Sequence, residues 1–283
     1  PAPRTTSRCS PTSHPTRRRT SAATGNSAVT TDGASGDFVS WTRRYRERVD
    51  GDGPADPAPL IPAATVVLVR DGSDGLEVLM VQRNAELSFA GGMWVFPGGR
   101  VDPDDVRPDD DDERAAARRA AAREAAEETD LTVDPDGLVE LSHWTPPPES
   151  PKRFGTWFFV GEAPAAAVTV DGGEILSHQW TTPRRARELR DSGRISLAPP
   201  TWITLEQLDL YDGARQALAG IGRATTERFT TRIVIDGDHV LALYHGDHAY
   251  GSGDVAGTGP THRLTMGDGP WIYERTTNRE DRS

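Results

Sequence analysis

The chain has 283 residues with 35% hydrophobic and 7% aromatic content, which suffices for one well-packed core with appendages or for two small domains. No apolar run approaches the roughly 20 residues of a membrane-spanning helix, so we expect no membrane partner. The formal net charge is −11, and because the first 31 residues contribute five arginines and no acidic residue, the remainder carries −16. Such a charge argues against a nucleic-acid partner, which would need a basic face.

Residues 1–58 are predicted to form a disordered tail and linker. Residues 1–36 are rich in Ser, Thr, Pro and Gly and have few large apolar side chains, so burial cannot offset the entropy of ordering them. Residues 37–49 have the pattern of a short amphipathic helix, and order is expected to begin near Leu60. The only cysteine, Cys9, fits a reducing compartment, and with no signal-peptide pattern it predicts a cytoplasmic protein.

Residues 59–210 are predicted to form one α+β domain. Its first part contains a β-hairpin at 64–83, a short strand ending in the glycine turn at 93–99, and a run of strong helix formers at 114–130. Its second part contains strands within 137–148 and 152–164, a capped helix at 182–193, and two helical pieces at 199–222.

Residues 211–283 are predicted to form a C-terminal helix and β extension packed on the domain. After residue 229 the sequence predicts a β-hairpin that turns at Asp236-Gly237-Asp238. The predicted element order is therefore β-β-β-α-β-β-α-α-β-β, with the turn around Glu174 expected to precede a helix.

Three glutamates at the end of the alanine-rich run lie on one helix face. Glu124, Glu127 and Glu128 stand at i, i+3 and i+4, where like charges disfavour a bare helix by roughly 0.2–0.5 kcal/mol per pair. A hard divalent cation such as Mg²⁺ would offset this repulsion, and Arg123 is placed to hold Glu127. The alternative is a solvated acidic face beside the arginines of the same helix.

The turn "FPGG", residues 96–99, favours the metal site over the solvated face. Glycines permit close approach of the backbone, so a carbonyl oxygen from this turn could join the carboxylates on a metal ion. The alternative for the turn alone is an ordinary glycine turn.

Together these residues resemble the signature of the Nudix hydrolases, G-x5-E-x7-R-E-U-x-E-E-x-G-U, in which U is aliphatic. Gly99 matches the first glycine, and "REAAEETDL", residues 123–131, matches the second half except at one position. The resemblance covers about residues 60–210 and is nearest to a long-insertion branch that includes peroxisomal coenzyme A diphosphatases. It implies a Nudix α/β/α sandwich with a mixed β-sheet at 59–210.

The chain departs from the signature in its spacing and at two positions. Ten extra residues, mostly aspartate, separate Gly99 from Arg123, and counting back from Arg123 places the first signature glutamate at Ala115. The second signature glycine is Asp130, which tolerates the left-handed region better than most residues do. We expect altered metal affinity, a modest stability cost, and a tolerated loop whose residues 104–111 can be deleted without loss of folding.

The resemblance implies metal-dependent hydrolysis of a diphosphate linkage in a small-molecule nucleoside diphosphate derivative. Glu124, Glu127 and Glu128 would bind Mg²⁺ or Mn²⁺ together with the Gly98 carbonyl, Glu127 and Glu128 would be the principal catalytic residues, and Arg123 would orient them. A coenzyme A or acyl-CoA substrate is suggested by the branch alone.

Other residues are candidates for supporting roles. Glu174, in a glycine-rich turn, is the candidate for an additional catalytic carboxylate, with Glu149 as the runner-up. Arg83 and Arg153 lie at strand ends and could bind a substrate phosphate, although arginines at such positions are commonly solvated.

The alternative function is a catalytically weak or silent Nudix-fold module that binds a nucleotide. Ala115 and Asp130 favour this alternative, whereas the three retained glutamates oppose it. RNA decapping is disfavoured by the acidic body. The oligomeric state is open, with a homodimer among the possible assemblies because many relatives dimerise.

Overall fold

The computed structural model describes residues 56–87 and 90–276. The amphipathic helix predicted at 37–49 and nearly all of the predicted tail lie outside these residues. Within them, no helix is long and apolar enough to cross a membrane.

The described residues form twelve strands and four helices. The strands are β1 Leu60–Gly72, β2 Gly75–Arg83, β3 Trp94–Val95, β4 Gly98–Arg100, β5 Val139–Thr145, β6 Arg153–Glu162, β7 Ile175–Thr181, β8 Glu227–Thr230, β9 Arg232–Asp236, β10 His239–Leu243, β11 His262–Met266 and β12 Ile272–Arg275. The helices are α1 Glu113–Thr129, α2 Pro183–Asp191, α3 Pro199–Leu208 and α4 Ala214–Ile221.

The main sheet is mixed, with the order β3-β2-β1-β6-β5-β8 and with β4 and β7 pairing to β1 and β2. The β1–β6 and β5–β8 pairs are parallel, and the other pairs are antiparallel. Strand β1 changes partners, because its residues 69–72 pair with β2 whereas residues 63–65 pair with β4. This split places Gly98 and Gly99 in strand β4, where the sequence predicted a turn, and it confirms the predicted α+β class with a mixed sheet.

Helix α1 packs one face of the main sheet through alanines. The buried alanines of α1 join Val66, Leu68, Leu79 and Val81 of β1 and β2 in one apolar cluster. Because alanine side chains are short, the helix axis lies close to the strands. Glu124 and Glu128 border the same buried face, so their carboxylates lie at the level of β4.

The opposite face of the main sheet is covered by α3, α4 and the C-terminal strands. Trp202 of α3, Phe229 of β8 and Tyr244 after β10 belong to the same apolar cluster as Val67 and Trp144 of the main sheet. Strands β9 to β12 form a second, antiparallel sheet in the order β12-β11-β10-β9. The boundary at residue 210 stays a prediction.

Three local features compare directly with the sequence. Asp130 ends α1 in the left-handed region, with φ 59° and ψ 22°, as expected for a residue in the place of glycine. The hairpin of β9 and β10 turns between Asp236 and His239, near the predicted position. The turn before Ile175, however, leads into strand β7 and not into a helix, so that part of the predicted element order was wrong.

Candidate active site

Glycines 98 and 99 let α1 approach strand β4 closely. A Cβ atom at Gly99 would overlap the carboxylate of Glu124, and one at Gly98 would overlap the carbonyl oxygen of Ala64. Gly98 therefore lacks space for a side chain because of the backbone of β1, whereas a side chain at Gly99 would displace the carboxylate of Glu124. The consequence is direct contact between a glutamate of α1 and the backbone of β4.

The backbone of Gly98 faces away from β1. The flanking hydrogen bonds from Val66 N to Pro97 O and from Val101 N to Pro62 O, both 3.0 Å, show which residues bond across the β1–β4 pair. Gly98 occupies a non-hydrogen-bonded position of the antiparallel β1–β4 pair. At such a position the N–H and the carbonyl of the residue both point away from the partner strand. Its N–H donates to Glu128 Oε2 at 3.0 Å, so its carbonyl faces the glutamate side as well.

Glu128 is a buried carboxylate that is only partly compensated. The residue is 5% exposed, and beside the Gly98 bond its Oε1 lies 3.5 Å from Arg83 Nη1. Burial raises the pKa of Glu128 to about 8, against the opposing effects of Gly98 and Arg83 and with added repulsion from Glu124 and Glu174. A further positive charge would therefore stabilise this group in its ionised form.

The three glutamates of α1 differ in their surroundings. The side chain of Glu124 is 16% exposed, and burial raises its pKa despite the neighbouring Arg123. Glu127 is 59% exposed and contacts Arg123 Nη1 at 3.1 Å. Glu124 and Glu128 thus face β4, whereas Glu127 lies at the solvent edge of the cluster.

Arg123 connects the helix, the strand and the acidic loop. Its Nη1 donates to Glu124 Oε1 at 3.0 Å and to Glu127, while Nη2 donates to the carbonyl of Arg100 at 3.0 Å. The guanidinium also binds both oxygens of Asp105, at 2.9 and 3.3 Å, and this contact raises the pKa of Arg123 above its usual value. These contacts tie the Arg123 guanidinium to α1, β4 and the acidic loop, and its orienting role stays a prediction.

Asp105 was missed at the sequence level, although a signal for it exists. Counting forward from Gly99, the pattern G-x5-acid ends at Asp105, so the insertion falls after this acid and not before it. Asp105 is 5% exposed and holds Arg123, which favours this register over the one that placed the acid at Ala115. The expectation that residues 104–111 can be deleted does not fit this contact, because the range includes Asp105.

A fixed turn brings Glu174 to the carboxylates. Asp171 accepts the backbone N–H groups of Gly173, Glu174 and Ile175 at 3.2, 2.9 and 2.9 Å. Asn84, just after β2, donates its N–H to Glu174 O at 2.7 Å. The carboxylate of Glu174, 61% exposed, lies 3.3 Å from Arg83 Nη2.

Arg153 lies elsewhere. Its guanidinium donates to the carbonyls of Ala58 and Pro146 at 3.0 and 3.4 Å. The register of the parallel β1–β6 pair aligns Arg153 with Leu60, five residues from the Thr65 that faces Gly98. The structure therefore brings Arg83 and Glu174 to the glutamates of α1 but not Arg153.

The oxygen donors suit a hard divalent cation, but they do not yet converge. Among residues 56–87 and 90–276, no group of three or more His, Cys, Asp or Glu side chains is arranged to hold a metal ion. Carboxylates and a backbone carbonyl are the ligands that Mg²⁺ and Mn²⁺ prefer. The guanidinium groups of Arg83 and Arg123 lie among these oxygens, so the donor set fits the metal once side chains rearrange.

Comparison with known proteins gives one family and a set of similar folds. The family model described as NUDIX domain matches residues 59–201. The crystal structure of a NUDIX hydrolase from Alicyclobacillus acidocaldarius is 26% identical, covers 59% of this chain and 99% of its own, and gives a TM-score of 0.51. No curated protein matches the chain by sequence.

Two further structures are more distant. The NUDIX domain of Shewanella oneidensis NrtR, crystallised with ADP ribose, is 19% identical over 57% of this chain and 94% of its own, with a TM-score of 0.41. An Ap4A hydrolase from C. elegans is 24% identical over 56% of this chain and 98% of its own, with a TM-score of 0.36. Neither likeness is close enough to indicate a substrate.

Proposed function

Since the chain belongs to the NUDIX domain family and is a pyrophosphohydrolase of the Nudix type, we propose that it hydrolyses the diphosphate linkage of a nucleoside diphosphate derivative with the help of Mg²⁺ or Mn²⁺. The proposal rests chiefly on one observation: Glu128, a buried carboxylate, is bound to the backbone of Gly98 and lies beside a second, partly buried carboxylate, Glu124. A cation would favour the ionised form of both groups, and a substrate with phosphate groups would bind the same cation.

The metal would be held by Glu124, Glu127 and Glu128 with the carbonyl oxygen of Gly98. When bound, it supplies polarisation of the phosphoryl oxygens and activation of the attacking water. Arg123, anchored on its far side by the acidic loop, keeps the carboxylates of the helix oriented toward β4.

Two side chains at the edge of the cluster serve the substrate and the water. Glu174 is exposed and fixed by its turn, so it can accept the proton of the attacking water as a general base. Arg83, which lies beside Glu128 and Glu174, can neutralise a phosphate of the substrate. Glu149, in the turn between β5 and β6, is the second candidate for the base.

The substrate is narrowed only to the class of nucleoside diphosphate derivatives. A coenzyme A or acyl-CoA substrate is supported by the resemblance to the coenzyme A diphosphatase branch alone, since none of the contacts described above would recognise pantetheine. The cytoplasmic location and a homodimer stay predictions of the sequence.

A second candidate function is a catalytically weak or silent nucleotide-binding module. One observation favours it: Asp130 ends α1 where the signature has its second glycine. The two functions differ in turnover, so a single assay separates them.

The assay uses the full chain with Mg²⁺ or Mn²⁺ and a panel of coenzyme A, acyl-CoAs, NADH, ADP-ribose, diadenosine polyphosphates and nucleoside triphosphates. Release of two phosphate-bearing products from at least one member, lost in Glu127→Gln and Glu128→Gln, is the expected result. Glu77→Gln, a change in a partly buried glutamate paired with Arg70 away from the cluster, is the matched control and should keep full activity. No turnover on any member, or full activity in both glutamate variants, would contradict the catalytic function.

A further inference from the structure

Arg83 lies between two carboxylates from different parts of the fold. Its Nη1 is 3.5 Å from Glu128 Oε1 on α1, and its Nη2 is 3.3 Å from Glu174 Oε2 in the turn before β7. The side chain is 17% exposed, and its buried Nε has no hydrogen-bond partner among the described residues. Charge-assisted bonds of this kind are usually about 2.7–2.9 Å long, so Arg83 is held loosely.

Arg123 shows what a firmly held arginine looks like in the same cluster. It binds Asp105 at 2.9 Å, the carbonyl of Arg100 at 3.0 Å and Glu124 at 3.0 Å. These contacts include a backbone oxygen and the buried Asp105, neither of which faces the carboxylates of Glu128 and Glu174. Arg123 is thus fixed to the scaffold, whereas Arg83 is held by the two acidic side chains.

A divalent cation and Arg83 would compete for the same oxygens. A cation bound to Glu128 would lie within a few ångströms of a guanidinium group of like charge, in a partly buried place where screening by water is weak. The stem of Arg83 leaves β2 at its last residue, so the guanidinium can swing toward solvent without disturbing the sheet.

We propose that Arg83 is an exchangeable counter-ion of the site, which neutralises Glu128 and Glu174 until a divalent cation takes over these carboxylates, and which then contacts the diphosphate of the substrate. This inference rests on the proposed function for the identity of the metal and the substrate. Because binding linkage is reciprocal, a diphosphate that draws Arg83 away also raises the affinity for the cation. Metal loading and substrate binding then favour each other through one side chain.

The test measures binding of Mn²⁺ alone, without nucleotide, to the full chain by titration followed by the paramagnetic effect of the ion on water protons. Arg83→Gln should bind Mn²⁺ about tenfold more tightly than the natural chain, as expected when one neighbouring like charge is removed. Arg70→Gln is the matched control, because Arg70 pairs with Glu77 and stacks on Trp180 away from the cluster. Its Mn²⁺ affinity should stay within about twofold.

A second measurement follows the released side chain. At saturating Mn²⁺, Arg83→Gln should raise the KM for a hydrolysed diphosphate by about tenfold, as for the loss of one charged hydrogen bond. Arg83→Lys, which keeps the charge, should restore part of this loss. A purely structural role for Arg83 would lower the metal affinity and would show no rescue by lysine.

The outcomes separate the two proposals. Unchanged or weaker Mn²⁺ binding by Arg83→Gln would overturn the counter-ion role even if the natural chain hydrolyses diphosphates. Tighter Mn²⁺ binding without any hydrolysis would support the counter-ion role and reject the proposed function. If Arg83→Gln does not fold, the arginine Nε–H signals of the natural chain in a Mg²⁺ titration replace it: the Arg83 signal should shift, and an unmoved signal would overturn the inference.

Discussion

Two buried carboxylates in this protein each face an arginine, and their surroundings are opposite. Asp247, in the C-terminal extension, binds Arg263 Nε and Nη2 at 2.6 and 2.7 Å and also accepts the N–H groups of Ala249 and His262. Burial alone would raise the pKa of Asp247, but these bonds hold it below its ordinary value. This carboxylate is satisfied as a charged group.

Glu128, at the end of α1, is not satisfied in this way. It has one backbone N–H and one long contact with Arg83, and burial raises its pKa to about 8. The difference teaches how a structural acid and a candidate metal ligand can be told apart in one fold. The first has its full set of donors, whereas the second is favoured as a charged group only by a positive partner from outside the chain.

The largest expected effect is the loss of stability when Asp247 is removed. Asp247→Ala leaves Arg263 buried without its partner, so the free energy of unfolding should fall by about 3–5 kcal/mol. Chemical denaturation followed by tryptophan fluorescence measures it, with Asp268→Ala, a change in an exposed loop, as the control. A loss no larger than that of the control would show that the Asp247–Arg263 pair is not an anchor of the extension.

For Glu128 we expect a loss of turnover without a loss of stability. Glu128→Gln removes a carboxyl group whose ionised form the fold compensates poorly, so unfolding should require at least as much free energy as in the natural chain. The turnover of a diphosphate substrate should nevertheless fall by about a hundredfold or more, because a metal ligand is lost. Parallel denaturation and turnover measurements test both, and a destabilised, active variant would make Glu128 resemble Asp247.

A smaller effect on turnover is expected at Asp105. Asp105→Asn weakens the hold on Arg123 and should lower activity by about 10- to 100-fold, the usual range for groups that orient metal ligands. Asp104→Asn, one residue away and exposed, is the matched control and should have no effect. Equal activity of the two variants would assign the position of Arg123 to the helix alone.

The last effect is a pH dependence of the free energy of unfolding, measured by denaturation in the presence of a chelator. Because the pKa of Glu128 is raised from 4.5 to about 8 in the folded chain, its stabilising contribution is complete below about pH 4.5 and is lost as the pH rises toward 8. Asp247 has the opposite sign, since its lowered pKa contributes stability above pH 3.8 that is lost in acid. Glu128→Gln should remove the first slope and leave the second unchanged.

The sequence predicted those parts of the fold that local pattern determines. The alanine run of α1, the β-branched strands of the first hairpin and the threonine cap of α2 follow from short-range preferences, and all appear in the structure. Strand β7 was missed because "ILSHQWT" mixes polar and apolar residues without clear alternation. It is a strand because β2 offers it an open edge, which only the tertiary structure supplies.

Some residues of the candidate site could likewise be predicted from local pattern, and others could not. The helical spacing of the three glutamates places them on one face without knowledge of the fold. Asp105 was missed because a ten-residue insertion leaves two ways to count the signature, and only the contact with Arg123 favours one of them. The separation of Arg153 from the cluster depends on the register of β1 and β6, which no local pattern encodes.

The alanine face of α1 has a consequence for how substitutions can alter this site. The side chains packed between α1 and the sheet determine how far the helix lies from the strands. They therefore also determine the distance between the glutamates and the backbone of Gly98. Ala121→Val would overpack that layer, and the resulting shift of the backbone would change the distances from Glu124 and Glu128 to β4. Mutations in the core can therefore alter the affinity for a cation without changing any residue that touches it.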